Sequence, residues 1–165
     1  RGEYGHWEMD CIVGKGGEKG AALLVLTERS TRQEIIRKMP DKSQASVKKE
    51  IDKLERKYGK KFTKLFKTVT VDNGTEFLDS KGLEASVLVP GKMRLKIYYA
   101  HPYSSWERGS NENANKLIRR FIPKGTDIGK LTEKEIKRIE HWMNNYPRRI
   151  FGYRTANEMA KIVVA

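Results

Sequence analysis

The feature that most constrains this sequence is a run at residues 21–27, AALLVLT, which is apolar up to its final threonine. An amphipathic strand would alternate apolar and polar residues, whereas a continuous apolar run is typical of a strand buried on both faces. Such a strand needs a layer of structure on each side of its sheet. The run therefore predicts a central strand in a layered domain.

The segments on either side of this run are predicted to be its neighbouring strands. Residues 6–13, HWEMDCIV, alternate, and Asp10 lies mid-strand on the face opposite the main apolar side chains. The apolar face carries Trp7, Met9, Cys11 and Val13. The glycine-rich residues 14–20 are typical of a hairpin loop, and residues 32–39 are a plausible third strand. Short links between three strands favour an antiparallel meander.

The remaining chain alternates helices with short strands. Ser43 can cap a helix that runs to Tyr58, and Thr132 with Glu135 forms a capping-box pattern. A strand at 67–71 ends at Asp72, and residues 75–95 have no regular pattern. The other predicted elements are a strand at 96–100, helices at 105–123 and 132–145, and a short terminal helix after Thr155. This order indicates one mixed α/β domain spanning residues 1–165.

The faces of the predicted helix at 43–58 that point away from its apolar stripe carry many lysines and arginines, with acids between them. A solvated face is the ordinary interpretation of this pattern, and we prefer it to a DNA-reading helix.

Charge and cysteine content narrow the class of partner and compartment. Lys and Arg number 34 and Asp and Glu 21, a formal net charge of +13, which favours a polyanion such as nucleic acid. A merely soluble lysine-rich surface is the alternative. Cys11 is the single cysteine, so an internal disulfide is excluded and a reducing compartment is favoured. No signal peptide or long apolar run points to export or to a membrane partner.

The predicted helix at 105–123 carries an acid beside two bases. At 100° per residue, Lys116 and Arg119 fall on the same side as Glu112, opposite an apolar stripe. The stripe consists of Ala114, Leu117, Ile118 and Phe121. An acid beside two bases suits a metal ion and a phosphate chain.

Asp10, Asp72 and Glu112 could together hold divalent metal ions. Phosphodiester chemistry needs an activated attacking oxygen and a stabilised leaving oxygen, and a pair of hard cations held by carboxylates supplies both. Each acid also has an ordinary interpretation. Asp72 can form a turn with the following Asn-Gly, Glu112 can favour its helix dipole, and Asp10 can pair with a lysine.

Three separated blocks carry a resemblance to a known family. These are GHWEMD at 5–10, TVDNGTEF at 70–77 and PYSSWERGSNENANKLIRRFIPKGTD at 102–127. In this order they resemble bacterial DDE transposases of the insertion-sequence-30 type, over nearly the whole chain.

The resemblance implies a ribonuclease-H-like fold, a mixed five-stranded sheet flanked by helices, as in retroviral integrases. It implies a catalytic and metal-binding triad of Asp10, Asp72 and Glu112 that holds Mg²⁺ or Mn²⁺, with two ions in the active complex. The implied activity is cleavage of transposon ends and transfer of the freed 3′-hydroxyl to target DNA. A homo-oligomer is expected, in the bacterial cytoplasm and nucleoid-associated when active.

This sequence departs from the family pattern in three ways. The 39 residues between Asp72 and Glu112 (112 − 72 − 1) exceed the usual gap, and we place the excess in a surface loop at 84–95. Lys116 stands where the family commonly has glycine. The family's N-terminal helix-turn-helix region is not found here, so sequence-specific binding of transposon ends is not expected.

The long gap makes Glu107 a rival for the third acid, since 34 residues separate it from Asp72 (107 − 72 − 1). We prefer Glu112 because the motif matches there. Glu76 is a candidate for a supporting role, and Trp106 for stacking on an unpaired base or, more simply, for packing. Phosphate contacts are predicted for Arg108, Lys116, Arg119, Arg120 and Lys124, with a solvated face as the alternative for each.

Two other classes of function stay open from the residues alone. One is a non-catalytic nucleic-acid-binding domain whose acids have lost their metal. The other is an assembly module that brings copies of the protein together.

Overall fold

A five-stranded mixed sheet forms the centre of the computed structural model, which describes residues 2–101 and 109–164. The strands are β1 (His6–Val13), β2 (Ala22–Glu28), β3 (Glu34–Met39), β4 (Thr68–Val71) and β5 (Lys96–Tyr99), in the order β3-β2-β1-β4-β5. β1, β2 and β3 are antiparallel, as the predicted meander requires, whereas β4 pairs parallel with both β1 and β5. The predicted α/β class is confirmed, and the topology is consistent with a ribonuclease-H-like fold.

Helices cover both faces of the sheet. They are α1 (Gln44–Tyr58), α2 (Phe62–Leu65), α3 (Ser80–Glu84), α4 (Gly109–Phe121), α5 (Glu133–Asn144) and α6 (Ala156–Val164). One hydrophobic cluster joins the sheet to α1, α2 and α3, and a second joins it to α4 and α5. The longest described helix, α1, has only 15 residues, and no helix in the described ranges could span a bilayer.

β2 is the strand that both layers share. All seven of its residues are buried. Leu24 and Leu26 belong to the cluster beneath α1, while Leu23 and Val25 belong to the cluster beneath α4. The prediction of a central strand buried on both faces is therefore confirmed.

Helix caps form where the sequence predicted them. The Ser43 hydroxyl accepts a hydrogen bond from the Ser46 amide at 3.1 Å and begins α1. Thr132 and Glu135 form a complete capping box at the start of α5. Because these caps satisfy helix amides that would otherwise lack partners, they fix where each helix starts.

Residues 75–95 are more regular than the sequence indicated. A 3₁₀ turn at Thr75–Phe77 leads to α3, where Asp79 accepts the Gly82 amide at 3.0 Å. Ala85 then bridges antiparallel to Met93. The prediction of an irregular segment was wrong here because α3 has five residues, too few for a helical period to be visible.

Arg94 anchors this segment to α1 through a buried ion cluster. Its side chain is 0% exposed and lies 2.6 Å from Asp52 and 3.1 Å from Glu55. It also donates to the backbone carbonyls of Leu83 and Gly82. Burial opposes ionisation of both acids, yet the hydrogen bonds prevail and lower the pKa of Asp52 and of Glu55.

We expect Arg94→Ala to lower the free energy of unfolding by about 3–5 kcal/mol, because it removes the buried cation that Asp52 and Glu55 share, although Lys48 continues to pair with Asp52. Urea denaturation of the chain measures this loss. Lys96→Ala is the control, since its ion pair with Glu84 is long, 3.9 Å, and its side chain is half exposed. Its effect should stay within about 0.5 kcal/mol. Equal effects of the two substitutions would contradict the proposed role of Arg94.

Candidate active site

Asp10 and Asp72 are brought to neighbouring positions by the parallel pairing of β1 with β4. In this pair Glu8 lies opposite Thr70. Asp10 stands two residues beyond Glu8, and Asp72 stands two residues beyond Thr70, directly after β4 ends. Equal steps along parallel strands keep residues level, so the backbones of the two aspartates lie side by side.

The pKa of the Cys11 thiol reflects the charges of the acids around it. Burial raises its pKa most, and the charges of Glu76, Asp10 and Asp72 raise it further. Glu76 is itself buried beside Asp72, within 3.5 Å of the Lys42 ammonium. Burial raises the pKa of Glu76, the Asp72 charge adds to this rise, and Lys42 opposes it. A supporting role for Glu76 stays a prediction, and the structure places this residue beside Asp72.

The turn after β4 fixes the direction of Asp72. Its Oδ1 accepts the Gly74 amide at 2.8 Å, which closes a tight turn of the kind that Asp-Asn-Gly predicts. A side chain at position 74 would come within 2.4 Å of Glu76 Oε1 and 2.9 Å of Asp72 Oδ1. Glycine is therefore required at this position if both carboxylates are to keep their places.

α4 lies along β1 and runs in the same direction. Asn115 Nδ2 donates to Asp10 Oδ2 at 3.1 Å, and one turn later Arg119 Nη2 donates to the Val13 carbonyl at 3.1 Å. Asp10 also accepts the Cys11 amide at 2.8 Å. An asparagine of α4 thus partners this mid-strand acid.

Asn111 fastens the start of α4 to the sheet. It is 0% exposed, and its amide group donates to Thr27 Oγ1 at 3.2 Å and to the Val25 carbonyl at 3.4 Å. Its backbone N–H donates to Glu8 Oε1 at 3.1 Å. Glu8 is 0% exposed as well, and its other oxygen lies 3.3 Å from the Arg29 guanidinium.

Glu8, Asn111 and Asn115 are site residues that the sequence prediction missed. Glu8 is a mid-strand acid on the same face as Asp10, so the argument that an acid beside a core needs a partner applied to it equally. The two asparagines stand one helical turn apart on the sheet-facing side of α4. Their spacing was visible in the sequence, but the contacts they make across the sheet were not.

Glu112 lies on the same helix as Asn115, the residue that donates to Asp10. It stands three residues before Asn115 on α4, and its side chain is exposed. Within residues 2–101 and 109–164, no three His, Cys, Asp or Glu side chains are close enough to hold a metal ion together. All three predicted ligands supply carboxylate oxygens, the donors that Mg²⁺ and Mn²⁺ prefer, so the residue types fit such ions. Glu107 lies outside the described residues.

The predicted phosphate-binding residues differ in how available they are. Lys116, Arg120 and Lys124 are exposed. Arg119 is half-buried, and its guanidinium donates to the carbonyls of Val13 and Ile122. It therefore has a structural role and is less available to a phosphate. Arg108, like Trp106, lies outside the described ranges.

The chain is a mixed α/β domain. Asp10, Asp72 and Glu76, which we call the acid cluster, lie where β1 and β4 meet. No protein-family model matches the chain. It is 41% identical over 161 residues to the transposase for insertion sequence element IS4351 of Bacteroides fragilis, covering 98% of this chain and 46% of that protein.

Two further relatives have similar names. The probable transposase for insertion-like sequence element IS1161 of Streptococcus salivarius is 33% identical, covering 98% of this chain and 43% of that protein. The transposase InsI for insertion sequence element IS30C of Escherichia coli K12 is 33% identical, covering 100% and 40%. The resemblance to insertion-sequence transposases of this type is confirmed. The chain spans less than half the length of each of these relatives.

We expect Asn111→Ala to lower the free energy of unfolding by about 1–3 kcal/mol, because it leaves Thr27 and the Val25 carbonyl without a buried donor. Asn113→Ala is a matched control on the exposed side of the same helix and should cost less than about 0.5 kcal/mol. Chemical denaturation gives both values, and amide exchange in α4 locates the change. Equal losses would show that Asn111 does not anchor the helix.

Proposed function

We propose that the chain is the catalytic core of a transposase that cleaves DNA strands and transfers the freed 3′-hydroxyl to target DNA. Asp10, Asp72 and Glu112 are its catalytic residues and hold Mg²⁺ or Mn²⁺. The observation that carries the proposal is the placement of the aspartates. The pairing of β1 with β4 sets Asp10 and Asp72 side by side, and α4 is hydrogen-bonded to Asp10. The names of the relatives support the same activity.

The chain's own residues would work as follows. Asp10 is held on its strand by the Cys11 amide and by Asn115, so its carboxylate is oriented before any cation arrives. Asp72 is oriented by its turn, and Glu112, three residues before Asn115 on α4, would supply the third carboxylate. Bound divalent ions would supply the positive charge that activates the attacking oxygen and stabilises the leaving oxygen.

DNA is the proposed substrate, and its phosphates would meet the exposed cations beside α4, Lys116, Arg120 and Lys124. Arg108 and Arg119 belong to the same predicted set. Transposon ends and target must be held together for strand transfer, so a homo-oligomer is part of the proposal. Such a protein would act in the bacterial cytoplasm, on the nucleoid.

We expect Asp10→Asn, Asp72→Asn and Glu112→Gln each to slow Mn²⁺-dependent nicking and joining of DNA by about 100-fold or more. A loss of this size corresponds to about 2.7 kcal/mol or more of charge stabilisation in the transition state. The assay follows supercoiled plasmid and a labelled oligonucleotide with the full chain.

Glu107→Gln and Glu133→Gln serve as controls for this series. Glu133 is an exposed acid at the start of α5, remote from the acid cluster, and its substitution should leave the rate within about twofold. Loss of activity in Glu107→Gln with activity kept in Glu112→Gln would transfer the third catalytic position to Glu107.

Calorimetry with Mn²⁺ separates catalysis from a non-catalytic binding domain of the same fold. We expect the chain to bind Mn²⁺ and Asp72→Asn to weaken that binding by about tenfold or more, because one oxygen ligand loses its charge. Absence of binding, or equal binding by chain and variant, would favour the non-catalytic alternative. Light scattering of the same samples reports the oligomeric state.

A further inference from the structure

A dense set of exposed cations runs along α1 from Lys49 onward and continues over the following 3₁₀ turn and α2. We define this basic surface as Lys49, Arg56, Lys57, Lys60, Lys61 and Lys64. In the sequence these residues alternate with acids, which favours an ordinary solvated face. The structure separates the two signs of charge.

Every acid of residues 49–64 is buried and has a cationic partner. Glu50 is 5% exposed and pairs with Lys53 at 3.1 Å. Asp52 and Glu55 are 8% and 4% exposed, and the buried Arg94 pairs with both. These carboxylates are turned into the protein and pair with other cations, Lys48, Lys53 and Arg94, so no acid of this segment is exposed beside the basic surface.

The six cations of the basic surface form no ion pair with any acid in the described ranges of the chain. Lys57 alone has another favourable contact, with its ammonium 5.3 Å from the centre of the Tyr58 ring. Six like charges held on about 16 residues repel one another and attract a polyanion.

The apolar side chains of the same segment point into the core. Val47, Ile51, Leu54 and Phe62 are all at most 1% exposed. A helix that lies in a membrane interface must bury an apolar face in lipid, and α1 has no such face left. The chemistry favours an array of phosphates over a bilayer.

Most of the basic surface lies away from the acid cluster, toward and beyond the far end of α1. α1 begins beside the turn that follows Asp72, where Gln44 donates to the Thr75 carbonyl at 3.0 Å. It ends where Tyr58 packs on Phe66, and Phe66 stacks on Trp7 near the start of β1. At 1.5 Å per residue, its 15 residues separate these ends by about 21 Å.

We propose that the basic surface binds the phosphate backbone of double-stranded DNA, without reading its sequence, at a place distinct from the acids. Lys49 and Lys57 lie about 12 Å apart along α1. A duplex carries one charge per about 1.7 Å of its axis with both strands counted, so a length of about 12 Å carries about seven phosphates, and the basic surface faces those on one side. Binding here needs no metal ion, so it is independent of the proposed catalytic function.

The test measures the affinity of the full chain for a short duplex of random sequence by fluorescence anisotropy, in EDTA and across about 50–200 mM salt. The variant Lys60→Gln/Lys61→Gln/Lys64→Gln should bind about tenfold or more weakly at the low-salt end. Its slope of log affinity against log salt should be shallower by about 2–3, since each lost phosphate contact contributes about 0.9. A second triple, at Lys49, Arg56 and Lys57, should behave alike.

The matched control is Lys130→Gln/Lys134→Gln/Arg138→Gln, which removes three exposed cations near the other face of the sheet, among the acids Glu133 and Glu135. Its affinity should stay within about twofold. Equal losses of DNA affinity in the control and in either test triple would show that net charge alone causes the effect, and would overturn the proposal. Unchanged DNA affinity in both test triples would also overturn the proposal. Loss of binding to phosphatidylserine vesicles by the same triples, with DNA affinity unchanged, would assign the surface to a membrane instead.

Asp10→Asn in the same EDTA assay should bind the duplex like the unsubstituted chain. Nicking kept by Asp10→Asn would overturn the catalytic proposal and leave this inference intact. Unchanged DNA affinity in both test triples would overturn this inference and leave the catalytic proposal intact.

Discussion

The parallel pairing of β1 with β4 is the constraint on which the candidate site depends. Without it Asp10 and Asp72, 62 positions apart in the sequence, would have no reason to meet. Parallel strands need a crossover, and here α1 and α2 provide it across one face of the sheet. The other face is thereby left for α4, which is hydrogen-bonded to Asp10 through Asn115. One pairing choice thus determines where the two aspartates lie and which helix can reach them.

The contact between α4 and the sheet is unusually polar for a buried interface. Glu8, Thr27 and Asn111 are all fully buried, and an apolar packing of the same volume would avoid the cost of desolvating them. Hydrogen bonds, unlike apolar contacts, fix both direction and register. The side chain of Asn111 donates hydrogen bonds to β2, and its backbone N–H donates to Glu8 of β1. A slip of α4 along the sheet would therefore break several bonds at once. On the proposed function, these bonds would hold α4, and with it Glu112, in position at some expense of stability.

Local signals predicted much of the fold, and long-range pairing explains most of what they missed. The apolar run of β2 and the caps at Ser43 and Thr132 depend on near neighbours in the chain, so the sequence contains them in full. Arg94 lies in a stretch that has the composition of a surface loop, and only its distant partners on α1 make it a buried anchor. The inward acids of α1 follow from the same contact: without Arg94, Asp52 and Glu55 would be expected outside. The side-by-side placement of Asp10 and Asp72 could be expected only by assuming that their strands are neighbours.

Charge is distributed in a way that the net value of +13 conceals. Asp10, Asp72 and Glu76 gather where β1 and β4 meet, and the raised pKa of Glu76 reflects its burial and the charge of Asp72, with Lys42 in opposition. Lys42 also pairs with Glu18, so its charge is shared. Carboxylates repel phosphates, and this cluster taken alone would keep DNA away. On the proposed function, a divalent cation reverses the sign of the site, so that substrate approach and catalysis depend on the same ion. The basic surface extends beyond the end of α1 that lies about 21 Å from the helix start beside Asp72, so it escapes this dependence and can hold DNA before the acids are neutralised.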